Sequence, residues 1–119
     1  MGLHEEVGAK VSFSFPEDQA YGVTSNIEQE LRAQWSKWGK QDHPNGTGGP
    51  LAALVSQVHR KACDDAFTNG TGGWRDILQE EVSEAFAESD PALLRAELVQ
   101  VAAVCAQWIM AIDRRVNGA

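Results

Sequence analysis

Residues 79–100 read QEEVSEAFAESDPALLRAELVQ, and the fold turns on this stretch. Asp90-Pro91 within it is a helix start. An aspartate side chain caps the free amides of a first turn, and proline at the first helical position forgoes a hydrogen bond that position does not make. Helical spacing runs up to this pair and resumes after it, predicting one helix over residues 74–88 and another from Asp90-Pro91 to about Val116. The turn between them is short, so the second helix is sent back along the first.

Working outward, the same periodicity gives two earlier helices. Ile27, Leu31, Trp35 and Trp38 share a helical spacing over residues 25–37, with Ser25 and Glu28 at the separation of a capping box and Gly39 as the stop. Pro50 opens the next, with Leu51, Leu54, Val55, Val58, Ala62 and Ala66 as its apolar stripe and Gly70 closing it. Between them QDHPNGTGG, residues 41–49, is a loop by composition. Val11, Phe13 and Phe15 alternate like a short strand until Pro16 interrupts them. The expectation is an all-α protein: an up-and-down helical bundle of about four helices over residues 23–119, preceded by an irregular N-terminal arm over residues 1–22.

Within this pattern three acids stand at positions meant for the core. Glu81 and Glu84 share a face with Trp74, Ile77, Leu78 and Ala85, and Glu97 interrupts the stripe of Leu93, Leu94, Val101, Val104 and Trp108. An ionised carboxylate removed from water costs several kcal/mol unless it is compensated. Glu81 and Glu84 lie one turn apart, and on the facing helix Glu97 and Gln100 repeat that step, with Glu80 and Glu88 beside the same surface. Oxygen ligands from two facing helices suit a hard cation such as Mg²⁺, with Mn²⁺ as an alternative.

At these residues the chain resembles the MazG-like, all-α nucleoside triphosphate pyrophosphohydrolase superfamily. The metal motif of that family is E-x-x-E, a variable gap, then E-x-x-D. Glu81-Val-Ser-Glu84 matches the first half and Glu97-Leu-Val-Gln100 the second, with Gln100 where the family carries aspartate. QEEVSEAFAES and RAELVQVAAVCAQWI resemble the two acidic helices, and SKWGKQDHPNGTGG resembles a Trp-Gly-x-Gln stretch followed by a His-Pro loop. The likeness covers residues 34–112. It implies cleavage of a nucleoside triphosphate to monophosphate and pyrophosphate, with Glu81, Glu84 and Glu97 catalytic and, with Gln100, holding Mg²⁺. It also implies a homodimer or homotetramer. The alternative is a non-catalytic module of the same fold that binds a nucleotide or a protein on a degenerate metal site, since an amide brings no charge and cannot act as a base. A third reading is a helical adaptor whose glutamates meet cations across an interface.

Substrate contacts are sought on the first helix and the loop after it. Trp35 and Trp38 offer faces on which a base stacks, Lys37 or Lys40 a partner for phosphate, and Gln41 a reader of a base edge. His43 reads as a solvated loop residue, and Arg60 and Lys61 as surface or ion-pair residues. NGTGG at residues 45–49 lacks the lysine and preceding strand of a phosphate loop. Cys63 and Cys105 have no neighbours at zinc spacing and read as reduced thiols within helices.

Composition sets the outer bounds. In 119 residues, 43% are hydrophobic and 23% charged, as in an ordinary globular domain. A net charge of −7 argues against a duplex nucleic-acid ligand, which calls for a basic footprint. No uninterrupted apolar run of bilayer length and no leader-like N-terminus stand out, so no membrane partner and a cytoplasmic location are expected.

Overall fold

A computed structural model describes residues 13–118, and within them the chain is all-α, a bundle of four helices with no strand. These are α1 (Glu17–Trp38), α2 (Pro50–Thr68), α3 (Trp74–Ala87) and α4 (Pro91–Val116). Residues 1–12 of the expected arm, with Val11 of its expected strand, lie outside the described residues. Phe13 and Phe15 are exposed and not in a strand.

The first helix is longer than its apolar spacing indicates. It begins at Glu17 rather than Ser25, so residues 17–22, assigned to the arm, are helical, and the Ser25/Glu28 pair is mid-helix instead of a cap. The overlooked start is Pro16 followed by Glu17 and Asp18, where two acids meet the positive end of the helix dipole. Gly39, at φ 69°, ends the helix as expected.

The other termini follow their sequence signals. Asp90 Oδ1 accepts hydrogen bonds from the amides of Ala92 (2.9 Å) and Leu93 (3.2 Å) at the head of α4. Pro50 is in the first turn of α2. At the other end of α2, the Gly70 amide bonds to the Phe67 carbonyl and the Thr71 amide to the Ala66 carbonyl, the pairing of a Schellman cap. Asp76 accepts from the Gly73 amide at 2.9 Å and secures the start of α3.

The described residues group into two compact units. One takes in residues 46–105: α2, α3 and the first part of α4. There α2 and α3 form a close antiparallel hairpin, their most intimate side lined by small or polar residues: Ser56 and Cys63 on α2, Ser83 and Ala85 on α3. Leu94 and Val104 complete its buried apolar set. The stripe expected to bury α2 does not do so, because Leu51, Leu54, Val55 and Val58 are all exposed. Small side chains at Ser56 and Cys63, one face of the helix, let the two backbones approach, and the larger aliphatics are left on the outer side.

The second unit takes in, of the described residues, 13–45 and 106–118. Val23 of α1 is buried, as are Met110 and Ala111 of α4, and Gln19 Nε2 donates to the Met110 carbonyl at 3.0 Å. Ile27, Leu31, Trp35 and Trp38 of the expected stripe are exposed. Helix α4 contributes to the core of both units. By length and composition it is apolar enough to cross a membrane, with a mean hydropathy of 1.3, a property that the interrupted runs of its sequence conceal. Serving two cores asks for apolar residues on more than one face, which accounts for that composition.

Candidate metal centre

Helix α3 buries acids. Among the described residues, Glu80, Glu81 and Cys63 are the largest side chains wholly withdrawn from solvent, and both glutamates have no exposed surface at all. Ordinary amphipathic helices present leucine and valine at such positions. Neither oxygen of Glu80 or of Glu81 has a hydrogen-bond partner, and the same holds for Oε2 of Glu97 and Oε1 of Gln100. Six buried oxygens in one small region therefore lack a full set of partners, those of Glu80 having only the Cys63 thiol and, at 3.9 Å, Arg60 beside them.

The hairpin turn at residues 88–90 explains why these groups meet. It is fastened twice from outside the helices: Thr47 Oγ1 donates to the Glu88 carbonyl at 2.6 Å, and the Gly48 amide to the Phe86 carbonyl at 2.8 Å. The glycine-rich loop thus satisfies the last carbonyls of α3, which have no partner within the helix. Gly48 has φ +93°, and a β-carbon there would lie 2.9 Å from Cβ of Ser89, so only glycine fits. With the turn fixed, α4 runs back along α3 and brings Glu97 opposite Glu81 and Glu84. Ligand oxygens of these three glutamates all lie within 4.8 Å of one another. Gln100 is one turn further along α4.

Three charges at this spacing repel strongly. At an effective dielectric of 20, each ionised pair costs on the order of 3 kcal/mol before any desolvation. Burial, then the charges of Glu84, Glu97 and Glu80, push the Glu81 carboxyl up to about 7. Burial and Glu84 raise Glu97 as well. Burial also raises Glu80, against the opposing contact of the Cys63 thiol and the more distant charge of Arg60. The thiol is itself pushed up to about 12, by burial and by Glu80, which makes it an inert neutral group.

The residues fit a hard divalent cation. An octahedral Mg²⁺ sets its ligand oxygens roughly 3–4 Å apart, so small side-chain adjustments within the 4.8 Å cluster suffice. The donor set is all oxygen, from two helices held by one clamped turn, and it lacks compensating charge. One cation approaches it: Arg60 of α2 places Nη2 3.5 Å from Glu84 Oε1 and Nε 3.9 Å from Glu80 Oε1.

Of the sequence-derived candidates, Glu81, Glu84 and Glu97 are brought together, and Gln100 presents a buried, unpartnered oxygen on the same helix as Glu97. Trp35, Lys37, Trp38 and Gln41 belong to the other compact unit. There the Lys37 ammonium lies 4.7 Å from the ring centre of Trp38, and both tryptophans are exposed. Two residues at the cluster are placed by the structure more closely than the sequence placed them. Glu80 was legible as a neighbouring acid, but its complete burial was not. Arg60 enters through the register of α2 against α3, which nothing in the local sequence announces. Compared with models of known protein families, with curated proteins and with solved structures, the chain matches none.

Proposed function

We propose that the protein is a Mg²⁺-dependent nucleotide pyrophosphohydrolase of the cytoplasm, cleaving (d)NTP to (d)NMP and pyrophosphate in nucleotide-pool clean-up. One observation carries the reading: Glu81, Glu84 and Glu97, from two helices, converge within 4.8 Å with Glu81 wholly buried and unpartnered. Such an arrangement is costly for folding alone, and a bound cation offsets the cost. The resemblance of the E-x-x-E and E-x-x-Q segments to MazG-like enzymes supplies the reaction class.

In this reading Glu81, Glu84 and Glu97 hold the cation and the Gln100 amide oxygen completes the set. When bound there, Mg²⁺ or Mn²⁺ would supply charge neutralisation at the phosphate oxygens and a lowered pKa for a nearby water. A carboxylate oxygen not committed to the cation orients that water and accepts its proton as the water's oxygen bonds to phosphorus. Pyrophosphate leaves with the electron pair of the broken P–O bond.

The second reading, a non-catalytic nucleotide- or protein-binding module, is favoured by Gln100, which gives the set one negative charge fewer than aspartate provides. Release of pyrophosphate from a panel of NTPs and dNTPs, in Mg²⁺ and in EDTA, decides between the two. The enzyme releases it only with Mg²⁺ and loses that release on Glu81→Gln. Folded protein that binds Mg²⁺ yet turns over no member of the panel is the module.

A further inference from the structure

Arg60 sits between the buried acids and the solvent. Its side chain is 57% exposed, whereas those of Glu80 and Glu84 are 0% and 10% exposed. Both its ion pairs are long. A charge-assisted N–H···O contact closes to about 2.7–2.9 Å, but Arg60 stands 3.5 Å from Glu84 and 3.9 Å from Glu80. The guanidinium therefore attends the cluster without being locked into it. Among the described residues no other cationic side chain is in ion-pair reach of these glutamates.

Two consequences follow from that geometry. Arg60 and a divalent cation draw on the same carboxylate, since Glu84 belongs both to the ion pair and to the three-glutamate cluster. A polyphosphate approaching from solvent meets acids that repel it, apart from the cation they hold and this one guanidinium. A planar fork of donors at the rim suits phosphate oxygens.

We infer that Arg60 is the phosphate-contacting residue of this site, released by Glu84 to the substrate when a divalent cation takes Glu84, and kept at the rim by Glu80. The inference rests on the metal-dependent reading above and adds a role for two residues outside the carboxylate motif. Glu80 is then a positioning residue: its buried carboxyl lies behind the guanidinium, 3.9 Å from Nε, without reaching the substrate.

The two roles of Arg60 pull in opposite directions, so binding measurements separate them. Calorimetric titration of the full-length chain with Mn²⁺, and then with inorganic pyrophosphate in saturating Mn²⁺, is made on the wild type, Arg60→Gln and Arg60→Lys. Arg60→Gln removes a competing cation and is expected to bind Mn²⁺ more tightly. It is expected to bind pyrophosphate roughly tenfold or more weakly, the worth of a charged hydrogen bond. Arg60→Lys recovers part of the pyrophosphate affinity. Should Arg60→Gln destabilise the fold by stranding Glu80, the same pair of titrations on Arg60→Gln with Glu80→Gln, against Glu80→Gln alone, gives the comparison. Unchanged pyrophosphate affinity overturns the role of Arg60 while leaving the metal site standing. A folded wild type that takes up no Mn²⁺ brings down the metal reading, and the role of Arg60 with it.

Discussion

In the proposed metal site, protonation of Glu81 and binding of the cation are one equilibrium. The folded carboxyl is pushed up to about 7, above the ordinary value of 4.5 it regains on unfolding. Between those values the folded chain holds more protons than the unfolded one, so stability falls as pH rises. The loss begins near the unfolded value and is complete above about pH 7, and for this fully buried group it amounts to a few kcal/mol. In EDTA the melting temperature is therefore expected to drop from pH 5 to pH 8. Mg²⁺ should restore it, more at pH 8 than at pH 5, because at low pH protons compete with the cation. Glu81→Gln is expected to flatten the EDTA profile and abolish the Mg²⁺ response. A Mg²⁺ response in Glu81→Gln as large as the wild type's places the cation elsewhere. Gln100→Asp adds a charge to the donor set and should tighten Mg²⁺ binding; unchanged affinity puts position 100 outside it.

At the scale of elements, the sequence disclosed most where local chemistry alone acts. Pro50, Gly70, Asp90 and Pro91 mark ends of helices because caps and proline work within one turn, and the structure places α2 and α4 accordingly. The E-x-x-E and E-x-x-Q spacings likewise required only helical geometry. What spacing does not encode is which face of α2 meets α3. The aliphatic stripe looked like the buried one, yet Ser56 and Cys63 form the contact, because close approach of two backbones favours small residues over large ones. Arg60, read as a surface or ion-pair residue, is both half-exposed and paired, but that its partners are Glu80 and Glu84 follows only from this register. In the loop at residues 45–49, Thr47 and Gly48 clamp the end of α3. Gly48→Ala combines a positive φ with a 2.9 Å approach to Ser89, whereas Gly46→Ala shares the positive φ with open space around it. Urea denaturation is expected to find Gly48→Ala destabilised by about 2–4 kcal/mol and Gly46→Ala by about 1. Equal losses would mean that φ alone matters and that the clamp is dispensable.

For the whole molecule, the question is what covers the apolar surface that the α2–α3 hairpin turns away from its acids. Leu51, Val55, Val82 and Phe86 line one groove together with His59. At 100° per residue, Val82 and Phe86 lie nearly opposite Glu84 and well away from Glu80 and Glu81 on the turn of α3. The groove is thus a different surface from the candidate metal centre. Leu51 is 73% exposed and Phe86 59%. A single exposed leucine needs no explanation, but a contiguous aliphatic and aromatic groove on so small a core does. We propose that a second copy of the chain covers it, as the homodimer or homotetramer expected from the family resemblance. Burying such a groove against its own copy satisfies both protomers at once. Light scattering after size exclusion, at tens of micromolar, is expected to give a multiple of the 12.9 kDa chain mass. Val55→Asp places a charge in the groove and should shift that population to the monomer. Because Val55 lines the groove with Val82 and Phe86, on the side of α3 turned away from Glu84, Mn²⁺ binding per chain should survive in the monomer. Loss of Mn²⁺ binding on dissociation would instead make the partner chain a part of the metal centre, and a monomeric wild type would remove the second copy from the account of this groove.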